Sequence, residues 1–435
     1  MTSFMQQALA EASRQVPHWL QSVQARGLSL WQEADLPTRR TENWKYTGLN
    51  VLRDDYHLAD GSLTLDALPD KWAAGCGGTR LVFVDGIYQS ALSTAASADG
   101  VRVCRFEDAD EEQSAKIAGH LNGALNVEDH LFAALNTATL RDGVLVEIAA
   151  NTAADEAPIE CLWLVSAVDA PTAANQRLLV LAESGASATV VEHFASLDDA
   201  KDSFCNGLTE LMLGPNARLS HYRIHEESGS AVHIGGVHAR LDRDAHLESF
   251  HLALGSVLKR FDLVINHAGP GAYASLNGVY LPRGDEHIDY HSTIEHAVPH
   301  CSSDEIFRGI IADKATAVFN GRIHIHPDAQ KTRAELSNRN LLTSPEATVN
   351  SKPELEIYAD DVQCAHGTTV AQLDETAMHY LRTRGVSQAE AEVMLSFGFI
   401  NELIDGLGLE VLKDYLRPLL AARFARNSEL SRHLL

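Results

Sequence analysis

The period of hydrophobic positions changes twice along the chain. Phe4, Ala8, Ala12, Val16, Leu20 and Val23 recur at helical spacing, and Gly27 reads as the C-terminal stop of that helix. The following LPTRRTENWKYTGL (36–49) carries Trp44 and Tyr46 and reads as an ordered loop, not a linker. RLVFVDGIYQ (80–89) predicts two short strands around an Asp-Gly turn, and EDHLFAALNT (128–137) has helical spacing. From about residue 142 the pattern shortens. Runs rich in Val, Ile, Leu and Thr alternate with Gly, Asn, Asp and Pro turns to about residue 370. After Gln372 the helical period returns. LDETAMHYLRTR ends at Gly385, and Ser387 with Glu390 forms a capping box that opens the next helix. A last helix, LEVLKDYLRPLLAARFAR, is kinked or restarted at Pro418.

The strand-rich part contains a repeat. A turn residue, then Ala, one further residue and a small or apolar residue recur as GASA (185–188), NARL (216–219), DAHL (244–247), GAYA (271–274), KATA (314–317) and EATV (346–349). The alanines at 186, 217, 245, 272, 315 and 347 are separated by 31, 28, 27, 43 and 32 residues. A β-turn-β unit with a period near 30 cannot bury its apolar face alone, so stacking on its neighbours makes the core. A small side chain after the turn lets the chain round a tight corner. The competing architecture, a large antiparallel sandwich, seldom repeats one corner so regularly. The predicted class is therefore mainly β. A parallel β-helix, right-handed because parallel crossovers almost always are, occupies 142–371. An N-terminal α/β region (1–141) and a C-terminal α-helical domain (372–435) flank it.

Composition narrows the function. A net charge of −24 argues against recognition of nucleic-acid phosphates or anionic lipid through a basic surface. The chain has no apolar run of about 18 residues, so no membrane span is expected. The first 20 residues lack the features of a signal peptide. Six cysteines, at 76, 104, 161, 205, 301 and 364, are scattered without a CxxC, which fits free thiols and a cytoplasmic location.

Candidate chemistry is sparse. No nucleophile elbow, Walker loop or dinucleotide fingerprint occurs. In IHIHP (323–327), His324 and His326 share one strand face while Ile323 and Ile325 take the other. Simple inside–outside alternation accounts for that pair, and metal binding is the lesser reading. HIDYHSTIEHAVPHC (287–301) has spacings that match no familiar closed metal site. In DDVQCAHGTTV (360–370), Cys364 and His366 sit two apart in a strand pattern, so thiol and imidazole point to the same face. Both suit iron, but two ligands do not close a site, and a buried Cys beside a bystander His remains the alternative. The helix after Ser387 is apolar on two stripes: Ala391, Met394, Leu395, Gly398 and Phe399 on one, Val393, Phe397, Ile400 and Ile404 on the other. Such a helix must be covered on both sides, either within a terminal bundle or by a partner protein.

The stretch 314–399 resembles a known family. FNGRIHIHPDAQKT, NLLTSPEATVNSKPELEIYADDVQCAHGTTVAQLD and YLRTRGVSQAEAEVMLSFGF are similar to the shared core of the SufB/SufD family, components of the SUF iron–sulfur cluster assembly machine. PTRRTENWKYTGL and LFAALNTATLRDGVLVEIAANTAADEAPI are similar to its SufD branch. Gly367 after His366, where SufB has Glu, and Ala347, where SufB carries a cluster-related cysteine, favour that branch. The resemblance implies a parallel β-helix and a non-catalytic scaffold subunit of the SufBCD complex. It implies pairing with SufB through the β-helices and docking of the ATPase SufC on the C-terminal helices. Val386, Met394, Phe397, Phe399, Ile400 and Ile404 are the expected docking residues, with Phe397 and Ile400 as exposed anchors. His366 falls on the family's proposed interfacial ligand histidine, with Cys364 beside it. A nascent cluster or iron is thus expected at the interface with SufB, with none held stably by the isolated chain. A homodimer of the isolated chain would mimic the heteromeric pair. The alternative from another class is a β-helix carbohydrate-active enzyme, a lyase or hydrolase. It needs an aromatic-lined sugar groove, and aromatics make up only 6% of this chain.

Overall fold

A computed structural model describes residues 16–58, 65–73, 75–94, 99–166, 170–197 and 202–424. The N-terminal part contains α1 (His18–Glu33), β1 (His57–Leu58), a short α2 (Asp70–Ala73), β2 (Thr79–Val84), β3 (Ile87–Tyr88), β4 (Val101–Arg105), α3 (Glu111–His120) and α4 (Leu131–Ala138). Then the chain winds between two sheets. One holds β5 (Val144–Ile148), β7 (Thr172–Ala182), β9 (Ser203–Leu213), β11 (Val232–Leu241), β13 (Leu258–His267), β15 (His287–His296), β17 (Thr316–Ile325) and β19 (Thr348–Ile357). The other holds β6 (Ala153–Val165), β8 (Ser187–Ser196), β10 (Arg218–Glu226), β12 (His246–Leu254), β14 (Tyr273–Leu281), β16 (Ser302–Ile311), β18 (Arg333–Leu342) and β20 (Gln363–Gln372). From β5 to β18 each strand pairs in parallel with the strand two further on, which is a β-solenoid. Among the described residues three helices follow the solenoid: α5 (Glu375–Arg382), α6 (Gln388–Asp405) and α7 (Glu410–Phe424).

The corner repeat has a physical cause. Asn151, Gly185, Asn216, Asp244, Gly271, His300 and Lys331 all have φ between +56° and +78°. Each precedes the corner residue that enters the even-numbered sheet. Asn, Asp and Gly tolerate this left-handed conformation. The corners stack: the Asn216 N–H donates to Arg243 O (2.9 Å), and the Lys331 N–H to Asp361 O (2.7 Å). The corner column is Ala186, Ala217, Ala245, Ala272, Cys301 and Thr332, and each carbonyl accepts a hydrogen bond from the first strand residue of the next rung. Its intervals are 31, 28, 27, 29 and 31 residues. Ala315 and Ala347 stand at the opposite corner, where the Thr348 N–H donates to Ala315 O (3.0 Å). The irregular interval of 43 is therefore a step from one column to the other, not an inserted segment.

Inside, aromatic rings stack along the solenoid. Phe261 meets Tyr290 (5.0 Å between ring centres), Tyr290 meets Phe307 (5.2 Å) and Phe307 meets Phe319 (5.0 Å). These rings are buried in the core and form no sugar-binding platform on the surface. The N-terminal helices cover the odd-numbered sheet, where Trp31, Trp44, Phe132 and Leu135 pack on Phe204, Val232, Ile234 and Leu258. The C-terminal helices cover the even-numbered sheet, where Ile400, Ile404, Leu416 and Leu420 pack on Tyr222, Phe250, Leu252 and Val279. At the start of the solenoid, β2 adds in parallel to β6, and β3 and β4 add antiparallel to β2 and β5. The Asp-Gly turn at 85–86 has positive φ at both residues, as a tight hairpin requires.

Two expectations from the sequence change. Gly27 does not end its helix, because α1 runs to Glu33. It is the point of closest approach between α1 and α4. A Cβ there would lie 2.6 Å from Ala138 N and 2.9 Å from Ala134 O. Of the two readings of Pro418, a kink or a restart, the restart is ruled out, since the residue lies inside the continuous helix α7. The positions Phe4, Ala8 and Ala12 lie outside the described residues.

The glycine contact gives a test with an informative sign. In an exposed helix Gly→Ala stabilises by about 0.5–1 kcal/mol. Here Gly27→Ala forces α1 off α4, and we expect a loss of about 1–3 kcal/mol, the usual cost of overpacking. Urea denaturation of the two proteins measures it, and a gain in stability would contradict the close contact.

Candidate functional site

Strand β20 carries Cys364 and His366 and is the last strand of its sheet; β19 is the last of the other. The strand register determines which way their side chains face. His366 aligns with Leu336, Glu305, Leu276, Ser249 and His221 in successive rungs. All five are buried. Cys364 aligns with Ala334, Ser303, Ala274, Leu247 and Leu219, which are also buried. Both residues therefore occupy inward-facing positions. Cys364 is half-buried against the core and His366 is exposed, because among the described residues no further rung covers the last one.

Sequence spacing thus placed thiol and imidazole on one face correctly. Burial pushes the Cys364 thiol above its ordinary range, so it holds its proton in the free chain. Among the described residues the terminal rung has no protein cap. Ile357, Tyr358 and Val370 are exposed there, and Ser351 Oγ meets Thr368 Oγ1 at 2.8 Å across the open end. Pro353 sits in β19, a place proline tolerates because an edge strand need not donate outward.

Two rungs below His366, Glu305 is fully buried. Its Oε1 accepts a hydrogen bond from Ser292 Oγ (2.5 Å), while Oε2 has no partner. Burial pushes this carboxyl up to about 8. Deeper in the lumen the charges are paired. Arg223 lies 3.5 Å from Glu192 and donates to Thr209 Oγ1, Gly236 O and Gly207 O. Glu192 also meets His221 Nε2 (3.1 Å), and His221 Nδ1 lies 2.9 Å from Ser249 Oγ. Lys259 Nζ stands 3.1 Å from Glu227 and donates to the carbonyls of Glu227 and Leu254. Burial alone would raise Glu227, but Lys259 and His233 hold it well below the usual carboxylate range. These groups form an ion-paired internal frame. Nothing in the linear sequence marks them beyond alternating polar residues in apolar strands.

The ordered loop 36–49 has a clear role. Trp44 is buried with the Arg260 guanidinium 3.9 Å above its ring. Arg260 donates to Asn43 O (2.8 Å) and to Asp289 Oδ2 (2.6 Å), and Thr47 Oγ1 donates to the same oxygen (2.5 Å). Although burial opposes it, Arg260 holds Asp289 far below the ordinary carboxylate range. This clamp fixes the N-terminal segment to β13 and β15.

The C-terminal helix differs from expectation. Its N-cap Ser387 and Glu390 form the anticipated box. In the second stripe, however, Ile400 and Ile404 are buried against the even-numbered sheet and α7, and Val393 is buried too. Ile400 is therefore not an exposed anchor. Phe397 and Phe399 are half-buried against the same cluster. Arg308 fixes this seating by donating to Phe399 O (2.8 Å) and pairing with Glu402. The open side of α6 holds Met394 and Gly398, with exposed Tyr380 on α5 and half-buried Val386 between the helices. The two stripes were legible, but the solenoid covers the one assigned to a partner.

Residues 164–399 match the family model for the SUF system FeS cluster assembly SufBD core domain. Residues 2–160 match that for the SufBD protein N-terminal region. The chain is 34% identical over 382 residues to the iron–sulfur cluster assembly protein SufD of Escherichia coli, covering 87% of each chain. It is 30% identical over 398 residues to an iron–sulfur cluster assembly SufBD family protein of Synechocystis, covering 89% of this chain and 87% of the relative. A SufD of Bacillus subtilis is 26% identical over 416 residues, covering 92% and 93%. Among the described residues no helix is long and apolar enough to cross a membrane.

The buried carboxyl of Glu305 sets a pH dependence. A folded value raised to about 8 from the ordinary 4.5 makes its contribution complete below pH 4.5 and lost as pH rises through 8. Glu305→Gln keeps the shape without the charge. Its stability relative to wild type should rise by roughly 2–4 kcal/mol between pH 5 and pH 9, at ~1.4 kcal/mol per unit. Denaturant midpoints across that range test it, and a flat difference would show that Glu305 titrates normally.

Proposed function

The chain belongs to the SufB/SufD family of SUF iron–sulfur cluster assembly proteins, and from that premise we propose that it is the non-catalytic SufD-type scaffold of a cytoplasmic SufBCD complex. Its part in iron–sulfur cluster assembly follows from the family. The observation that carries the finer reading is the uncapped terminal rung. A solenoid needs a cap with a polar outer face to remain soluble alone, and an edge strand is a template for a partner strand. Here β19 and β20 offer both an unpaired edge and an inward-facing Cys364–His366 pair. SufB covering this end would continue both sheets and enclose that pair. The isolated chain, lacking SufB, would use the same edge to form a homodimer.

In this reading the nascent cluster or iron is cargo at the interface. His366 offers an accessible imidazole. Cys364 needs to lose a proton that its surroundings favour keeping, so His366 is the main ligand and Cys364 the lesser one. SufB supplies the remaining ligands. SufC docks on the open side of α5 and α6, over Tyr380, Val386, Met394 and Gly398, and Phe397 and Phe399 support that surface from below. ATP-driven movement of SufC would then act on the terminal rung through α6, which is anchored to β16 by Arg308.

Two variants test the two surfaces. His366→Ala should leave the purified SufBCD complex assembled and lower its iron and sulfide content severalfold, with Cys364→Ala having the smaller effect. Unchanged iron and sulfide in His366→Ala would make the histidine a bystander. Met394→Asp should weaken SufC binding at least ~10-fold, the loss of about 1.4 kcal/mol or more expected for an apolar interface anchor, while circular dichroism stays unchanged. Wild-type affinity in that variant would move the docking surface elsewhere.

A further inference from the structure

The outer face of the odd-numbered sheet carries a second cluster, separate from the terminal rung. His324 on β17 lies directly opposite Glu295 on β15 in the parallel register. His326 follows the end of β17, where its N–H donates to His296 O (3.0 Å). Two imidazole nitrogens converge on one carboxylate oxygen: His324 Nδ1 lies 2.6 Å and His326 Nε2 2.9 Å from Glu295 Oε2. The His326 contact is a hydrogen bond. The His324 contact is not: its Nδ1 is buried and has no hydrogen-bond partner despite the short distance. One carboxylate oxygen and two imidazole nitrogens thus lie within 4.8 Å of one another, the arrangement of a metal-ligand set.

We propose that Glu295, His324 and His326 bind one divalent first-row transition-metal ion. Two histidines and one carboxylate are a familiar donor set for such ions, leaving positions open for water or an exogenous ligand. The spacing fits: at metal–ligand distances of about 2.1 Å, ligands at right angles lie ~3.0 Å apart. The observed 2.6 and 2.9 Å are close to that separation. Charge also fits. Arg322 approaches Glu295 Oε1 (3.6 Å), yet it is held by two hydrogen bonds to Glu356 (2.9 and 2.8 Å). Two carboxylates and one guanidinium leave one net negative charge to meet a dication. The surroundings orient the first ligand, since Tyr358 stands edge-on to the His324 ring with centres 5.6 Å apart. All three ligands are partly exposed, so an ion can reach them.

A second group, Cys205, Glu227 and His233, also brings potential ligand atoms together. It is fully buried, and Lys259 already neutralises its carboxylate, so a cation has neither room in the charge balance nor a path. Inside–outside alternation of IHIHP holds on both readings, with Ile323 and Ile325 buried. The third ligand, contributed by the neighbouring strand, is what the sequence spacing could not show.

The test uses the full-length protein, stripped of metal by chelation under reducing conditions. Calorimetric titration with Zn²⁺ should show one equivalent bound at this site. Glu295→Gln and His326→Ala should each weaken it at least ~10-fold. His366→Ala should leave it unchanged, which separates this site from the terminal rung. With Co²⁺ the visible spectrum should show nitrogen and oxygen ligation without a thiolate charge-transfer band. No binding, wild-type affinity in both variants, or a thiolate band would overturn the proposal. Should Glu295→Gln fail to fold, His326→Ala decides, because that side chain stands at the surface.

Discussion

A backbone amide taken out of water must find a partner, and in this chain the partner is almost always one rung away. Each strand is satisfied only by the strands on either side of it in the stack, so stability runs along a single axis. The left-handed column from Asn151 to Lys331 extends that rule to the corners, where N–H and carbonyl groups also pair from rung to rung. Such an arrangement has two ends that it cannot satisfy by itself. At the start, β2, β3 and β4 fold back and close it, two of them antiparallel. At the far end the burial of β19 and β20 falls away, and no element of the described chain takes their place. The surface proposed for SufB is thus the remainder of a hydrogen-bonding problem solved everywhere else.

How far the sequence discloses this depends on what each residue type has to do. Corner alanines are legible because only a small side chain fits, and all six proved buried. Cys301 and Thr332 take the same place with other small side chains, so a search for alanine alone passes over them and jumps to the opposite corner at Ala315. Gly27 was misread because a glycine that stops a helix and one that admits a neighbouring helix look alike in one dimension. The same limit holds for α6: two apolar stripes are plain, but which one the solenoid covers depends on Tyr222, Phe250 and Val279, far away in sequence.

Histidine shows the problem most sharply. His267 and His296 lie face to face in the lumen with ring centres 4.3 Å apart. Burial lowers them to about 4 and about 2, so both stay neutral at physiological pH. His221 belongs to a hydrogen-bonded chain with Glu192 and Ser249. His324 and His326 converge on Glu295 at the surface, and His366 waits at the open end. Periodicity placed His324, His326 and His366 on strand faces, but only the neighbouring strands show which side chains each of them meets.

The clamp around Trp44 has a consequence for biosynthesis. Arg260 lies 217 residues beyond the Asn43 carbonyl it binds, and Asp289 lies 242 residues beyond Thr47. At ~5–20 residues per second, roughly 10–50 s pass between the synthesis of Thr47 and that of Asp289. Until Arg260 is made the indole of Trp44 has no guanidinium to lie under, and this segment is secured long after its own synthesis. The segment 36–49 therefore acts as a latch that closes only once β15, the eleventh of the sixteen solenoid strands β5–β20, has been made.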